Sequence, residues 1–254
     1  MLPILFSIGP IKIYTFGVFL VLGFFWSLFI LWKNIRLTSY KEEEIFDGLF
    51  ISLAVGLFFS RLFYVVLNFS DFGFDILKFI LINGYPGLSL YGGLFGLFLS
   101  LWLFLNGKKI KFIEAIDYFI TPVFIALFFG KIGGFFSGVE MGANYEALFY
   151  LLSIFLSEKI LLEIRKEKFF KGFLFYFFIW YFSLTNFLFD KIKGNHLYFS
   201  NYNFNKLVSF IFLLTTSVYF VYYFRSDILS FIKKYGQIII SKIHFRTKRK
   251  TTKG

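Results

Sequence analysis

The chain has 254 residues, of which 58% are hydrophobic and 25% aromatic, and its formal net charge is +12. Soluble domains contain only about 45–50% apolar residues even when Gly is counted, so this composition excludes an ordinary soluble domain and indicates an integral membrane protein. The absence of cysteine and the presence of only two histidines exclude disulfides, thiol nucleophiles and Cys- or His-rich metal sites, so neither metal nor cofactor is expected.

Apolar segments of spanning length, about 17–25 residues each, recur along the chain and are predicted to be transmembrane helices. They cover residues 13–32, 45–67, 88–105, 113–137, 145–162, 172–189 and 207–224. The first segment has no small-residue cleavage site behind it, which favours a retained helix over a removed signal peptide. The sequence therefore predicts an all-α, polytopic membrane protein of about seven transmembrane helices, formed by residues 1–226.

The basic residues predict the orientation. Twenty of the 27 Lys and Arg residues lie in the first, third and fifth connections and in the tail, whereas five lie on the opposite side. Because positive charges stay cytoplasmic, we expect the N-terminus outside and the C-terminus inside. Residues 227–254 mix apolar and basic side chains, and we interpret them as an amphipathic cytoplasmic tail on the anionic inner leaflet rather than as a nucleic-acid-binding segment.

Span direction also predicts the depth of each polar residue within a span. A charge inside the membrane is costly and usually functional. The alternating spans place one group of polar residues in the outer half: Arg61, Tyr64, Tyr91, Lys131, Glu140, Asn186 and Asp190. This distribution predicts one outward-facing polar cavity that several helices share.

The stretch GKIGGFFSGVEMG, residues 130–142, places two charged residues among five glycines. Glycines beside a cation allow backbone N–H groups to approach a phosphate. Two alternatives remain open: Gly134, Gly138 and Gly142 have the spacing of close helix packing, and Lys131 pairs with Glu140 or with Asp190.

The remaining polar positions also have two interpretations each. Arg61 is either a bidentate ligand of an oxyanion or an arginine that extends to the outer interface. Asn186 and Asp190 are four residues apart and so share a helix face, although Asp190 alternatively only ends the span. Tyr91 with Gly92 and Gly93 indicates either a binding position or close packing below an interfacial aromatic ring.

These residues resemble the motifs of the prolipoprotein diacylglyceryl transferase family of seven-span bacterial membrane enzymes. SRLFYV resembles its R-x-x-Y-V motif, and LSLYGGLFG resembles its S-F-H-G-G-L-x-G block. DYFITPVFIALFFGKIGGFFSG matches D-x-x-x-x-P followed by the G-R-x-G-N-F-x-N-G signature. FSIGPIKIYTFG, NFLFDKIKGN and NKLVS resemble three further blocks, and the resemblance is collinear over about residues 5–215.

Several positions depart from the family pattern. Tyr91 stands where the family has His, Lys131 and Asn186 where it has Arg, and Asp190 where it has Glu. Gly134 and Ser137 replace Asn, and the H-P-x-x-x-Y-E block is reduced to NYEALFY. Lys can hold phosphate only as a point charge, and Tyr is a poor base at neutral pH because its reference pKa is about 10.

The resemblance implies transfer of the diacylglyceryl group of phosphatidylglycerol to the lipobox cysteine of a prolipoprotein signal peptide, at the bacterial inner membrane. It implies catalytic roles for Tyr91, Lys131 and Asp190. The implied substrate-binding residues are Arg61, Tyr64, Gly92, Gly93, Gly133, Gly134, Ser137, Glu140 and Asn186. Altered or reduced activity, or a non-catalytic relative that binds an anionic phospholipid or a lipoprotein precursor, are the alternatives. A transporter would show broken helices and inverted repeats, which the sequence does not clearly contain.

Overall fold

The computed structural model describes residues 2–9, 11–81, 84–138, 142–190, 198–199 and 202–226. Within them, long helices follow the predicted spans to within about three residues: α1 (Thr15–Ile35), α2 (Glu42–Leu67), α5 (Leu90–Gly107), α6 (Phe112–Ser137), α7 (Ala143–Arg165), α8 (Phe173–Phe189) and α9 (Phe204–Tyr223). The short helices α3 (Phe69–Phe72) and α4 (Ile76–Ile80) join α2 to α5. Two short hairpins precede α1 and α9: β1 (Ile4–Ile8) with β2 (Ile11–Tyr14), and β3 (Tyr198–Phe199) with β4 (Tyr202–Asn203).

Five of these helices, α1, α2, α5, α6 and α9, are long and apolar enough to cross a membrane. At 17 residues α8 is shorter, and α7 is less apolar because it carries charged residues such as Glu158 and Lys159. The protein is therefore an all-α polytopic membrane protein, while the count of seven spans stays a prediction. The predicted tail, residues 227–254, lies outside the residues that the structure describes.

The first hairpin was not predicted. Its strands pair antiparallel with Phe6 opposite Ile13, and Gly9 in the turn has a φ of +59°, a conformation that favours glycine. The N–H of Leu2 donates to the carbonyl of Phe136 over 2.8 Å, which fastens the hairpin to the last turn of α6.

The long helices alternate in direction. The beginning of α5 contacts the beginning of α9 through Tyr91 and Ser209, and the last turns of α6 contact the first turn of α7 through Lys131 and Glu146. We call this end of the bundle, where α1, α5, α7 and α9 begin, the site end. At the opposite end, Arg165 of α7 donates to Asn34 of α1.

Close packing at glycines joins the helices in pairs, α1 with α6 and α2 with α5. A Cβ atom on Gly133 would lie 2.8 Å from Cβ of Phe19, and one on Gly96 would lie 2.5 Å from Cβ of Phe59. Within lipid, such backbone approach contributes dispersion contacts that the hydrophobic effect cannot supply between helices. The centre of the bundle is filled by fully buried side chains such as Phe124 and Tyr150.

Buried polar side chains occur at both ends of the bundle. Asp117, at the opposite end, is only 2% exposed, and its carboxylate accepts the N–H groups of Gly172 over 2.6 Å and Phe175 over 3.1 Å. The first N–H groups of any helix lack partners within the helix, so a buried helix start needs an acceptor wherever it lies. Asp117 meets that need for α8.

Candidate functional site

A buried ion pair joins α6 to α7 at the site end. Gly138, with a φ of +78°, ends α6 in the left-handed conformation that glycine favours. Nζ of Lys131 lies 3.2 Å from Oε2 of Glu146, and the two residues are 9% and 1% exposed. A buried ion pair contributes little net stability, because the cost of desolvating the two charges offsets their attraction. The presence of the Lys131–Glu146 pair therefore indicates a functional role rather than a stabilising one.

Glu146 is the site residue that the sequence analysis missed. The ion-pair alternative considered Glu140 or Asp190 as the partner of Lys131, whereas the structure pairs Lys131 with Glu146; Glu140 lies outside the described residues. The available signal was the glutamate in NYEALFY, since a carboxylate in the first turn of α7 must lie at the same bundle end as the last turns of α6.

Tyr91 lies on the first turn of α5 and contacts α8 and α9. The hydroxyl of Ser89 caps α5 by accepting the N–H of Gly92 over 3.3 Å. The Tyr91 hydroxyl shares a hydrogen bond with the Ser209 hydroxyl of α9, and its ring packs edge-on against Phe182 of α8 with the ring centroids 5.6 Å apart. Tyr91 therefore joins the beginning of α5 to α8 and α9.

The last turn of α8 contributes two further buried polar residues. Asn186 and Asp190 are each 5% exposed. The Asn186 amide donates to the carbonyl of Phe182 in its own helix over 2.8 Å, and Asp190 directly follows the last residue of α8. Both predicted site residues thus lie at the site end.

The predicted glycines lie mainly at helix contacts. A Cβ atom on Gly92 would lie 2.7 Å from the carbonyl oxygen of Phe59, and Gly133 packs on α1. Gly93 contacts Ser60 at ordinary distance, while the Ser137 hydroxyl donates to the carbonyl of Gly134 over 3.1 Å. Close packing, the alternative given for Gly92, accounts for that residue, and Gly133 packs closely as well.

Arg61 and Tyr64 lie on α2 and contact the connection between α2 and α5. Arg61 is 3% exposed and donates to the carbonyls of Phe79, Gly87 and Lys78. The Tyr64 ring packs directly against Gly87. These contacts attach both residues to the connection that precedes α5.

An apolar groove of about 590 Å³ opens between α5 on one side and α8 and α9 on the other. It begins at Tyr91 and reaches Trp102, and Phe98, Phe178 and Phe212 are among its lining residues. At 1.5 Å per residue, residues 91–102 of α5 extend about 16 Å, which is about half of a 30 Å hydrocarbon core. The groove is therefore as long as the acyl region of one leaflet.

The fold and the site together define a multi-pass membrane protein with buried ionisable side chains at one end of the bundle and an apolar groove of one-leaflet length that begins at Tyr91. The chain belongs to the prolipoprotein diacylglyceryl transferase family, whose model matches residues 3–222, and this confirms the predicted resemblance.

Curated relatives match along most of the chain. The phosphatidylglycerol–prolipoprotein diacylglyceryl transferase of Clostridium novyi (strain NT) is 25% identical over 238 residues, which cover 84% of this chain and 92% of that protein. The protein of the same name from Clostridium kluyveri is 28% identical over 246 residues, covering 87% of this chain and 96% of the relative. That from Wigglesworthia glossinidia brevipalpis is 31% identical over 143 residues, or 55% and 50% of the two chains.

Proposed function

We propose that this protein transfers the diacylglyceryl group of phosphatidylglycerol to the lipobox cysteine of a prolipoprotein signal peptide. The observation that carries the proposal is an apolar groove that begins at Tyr91, together with the buried Lys131–Glu146 pair at the same end of the bundle. A phospholipid has a matching arrangement, with a charged phosphate at one end of two apolar chains. The names of the relatives state the same donor and acceptor for those proteins.

The reaction forms a bond between the cysteine sulfur and the glycerol carbon that carries the phosphate, and it breaks the bond from that carbon to the phosphate oxygen. Glycerol phosphate leaves with the electron pair. Lys131 attracts the phosphate and stabilises the charge that develops on the leaving group. Glu146, 3.2 Å from Lys131, accepts the thiol proton, a role for which the sequence analysis had no candidate.

Tyr91 and Asp190 complete the proposed site. The Tyr91 hydroxyl orients the glycerol at the mouth of the groove, and Asp190, which is buried at the same end of the bundle, orients a cation there. Asn186, buried one turn before Asp190, binds polar atoms of the headgroup.

The groove holds an acyl chain of the donor lipid. Leu99→Trp fills the groove that Leu99 lines, so we expect transfer from a long-chain phosphatidylglycerol to fall several-fold while a short-chain donor is affected less. Leu103→Trp is the matched control, because Leu103 lies one turn further along α5 and is 58% exposed. Equal effects of the two variants would contradict an acyl-binding groove.

The proposed setting is the bacterial inner membrane, with seven spans, the N-terminus outside and the C-terminus in the cytoplasm. The alternating helix ends support it, because α7 and α8 connect the site end to the opposite end and back. The site end then faces outward, where secreted prolipoproteins present their signal peptides.

The direct test supplies purified protein with labelled phosphatidylglycerol and a synthetic lipobox peptide. The proposal predicts a peptide carrying a thioether-linked diacylglyceryl group and the release of glycerol phosphate. Retention of labelled lipid without any thioether product would instead support the non-catalytic alternative, a lipid-binding relative.

A further inference from the structure

Arg61 is a buried cation surrounded by backbone carbonyls. Its Nε donates to the carbonyl of Phe79 over 2.9 Å, and its two terminal nitrogens donate to Gly87 over 2.8 Å and Lys78 over 2.7 Å. A guanidinium has five N–H donors in one plane, and three of them converge here on a single connection. Hydrogen bonds from an ionised donor are about twice as strong as those between neutral groups.

Two of these carbonyls lie at the end of a short helix. Helix α4 has only five residues, so Lys78 and Phe79 lie in its last turn, where carbonyls lack partners within the helix. Arg61 supplies the missing donors. The rings of Phe72 and Tyr64, whose centroids lie 5.0 Å and 6.0 Å from Cζ of Arg61, flank the guanidinium.

Two neighbouring contacts extend this attachment towards α5. Gly87 has a φ of +148°, and a Cβ atom there would lie 2.0 Å from Cζ of Tyr64, so only glycine fits. Ser60 accepts the N–H of Ser89 over 3.0 Å and donates its hydroxyl to the Ser89 carbonyl over 2.8 Å. Because Ser89, two residues before Tyr91, caps α5, the attachment fixes the point at which α5 begins.

We propose that Arg61 is a positioning residue rather than a ligand of the lipid phosphate. Its bonds to Lys78, Phe79 and Gly87, which we call the latch, hold the described parts of the connection, residues 68–81 and 84–89, against α2 and so place Tyr91 at the candidate site. The effect of the latch on catalysis rests on the proposed function, whereas its effect on the connection does not.

Hydrogen exchange of the purified full-length protein tests the latch directly. In Arg61→Ala we expect amides of residues 78–93 to exchange about tenfold faster or more, because local opening no longer breaks charged hydrogen bonds. Peptides from α6 and α7 should be unchanged. Arg36→Ala is the control, since Arg36 forms an exposed 3.7 Å ion pair with Glu42 at the opposite end.

A second variant breaks the latch while Arg61 remains. Gly87→Ala forces the connection away from Tyr64, so it should accelerate exchange in the same peptides, and the double variant should be no faster than the faster single variant. Gly84→Ala is the matched control, because its Cβ would meet only a carbonyl at 3.9 Å. Unchanged exchange in residues 78–93 of both Arg61→Ala and Gly87→Ala would overturn the proposal.

Kinetics separate a positioning residue from a phosphate ligand. A displaced Tyr91 should lower kcat by about tenfold or more in both latch variants, with KM for phosphatidylglycerol changed about twofold at most. A raised KM in Arg61→Ala, with Gly87→Ala unaffected, would assign Arg61 to the phosphate and refute the latch. If the wild type transfers nothing, the proposed function fails and hydrogen exchange still decides the latch.

Discussion

Lys131 and Glu146 lie where the bundle excludes water, and ionised side chains there are stable only as a pair. Their 3.2 Å separation and near-complete burial mean that each charge lowers the desolvation cost of the other. Two apolar residues would fill the same space without the cost of desolvating two charges. Replacing both residues should therefore abolish activity while leaving the folded state stable.

The stability of single and double variants tests whether the charges of Lys131 and Glu146 depend on each other. Lys131→Met removes the ammonium beside a buried carboxylate, and we expect unfolding to become easier by about 3–5 kcal/mol. Adding Glu146→Met should recover most of that loss, as followed by denaturant titration in detergent micelles. A double variant as unstable as the sum of the two single variants would contradict the coupling.

At the scale of elements, helix ends depend on residues from other helices. Helix α8 begins after Gly172, which has no side chain to cap it, and Asp117 of α6 accepts the N–H groups instead. This contact fixes the height of α8 against α6, and therefore the position of Asn186 and Asp190 about four turns away.

Removing this cap should destabilise α8. Asp117→Ala leaves buried N–H groups of Gly172 and Phe175 without their acceptor, so we expect a loss of about 1–3 kcal/mol and faster amide exchange in residues 172–176. Glu114→Ala, which removes a partly exposed ion pair with Lys171 one turn earlier, should cost about 0–1 kcal/mol. Equal losses in the two variants would show that the cap contributes nothing specific.

For the whole molecule, hydropathy predicted the long helices because a spanning helix is encoded by a continuous apolar run. The contacts between helices could not be predicted from hydropathy. Lys131 and Glu146 lie on different helices, and a hydropathy pattern does not encode which side chains of two helices meet; Arg61 donates to backbone carbonyls, which carry no side-chain signal at all. The hairpin before α1 was missed because strands of four or five residues are shorter than any membrane-length window.

The absence of cysteine makes the predicted orientation testable with single introduced thiols. Lys12→Cys should react with a membrane-impermeant maleimide in intact cells, whereas Lys108→Cys and Lys166→Cys should react only after permeabilisation. Three predicted spans lie between Lys12 and Lys108, and two more lie between Lys108 and Lys166. Lys12 is therefore expected on the opposite side of the membrane from Lys108 and Lys166. Labelling of Lys166→Cys in intact cells would show that α7 does not cross the membrane.

We propose that the Lys131–Glu146 pair performs diacylglyceryl transfer at the site end of the bundle. The most direct measurement compares the rate of transfer from labelled phosphatidylglycerol to a lipobox peptide by the wild type and by the Lys131→Met/Glu146→Met variant, at equal folded protein. The account predicts thioether product from the wild type and a loss of at least about a hundredfold in the variant, since both a charge and a proton acceptor are removed. Transfer at the wild-type rate by the folded double variant would contradict it.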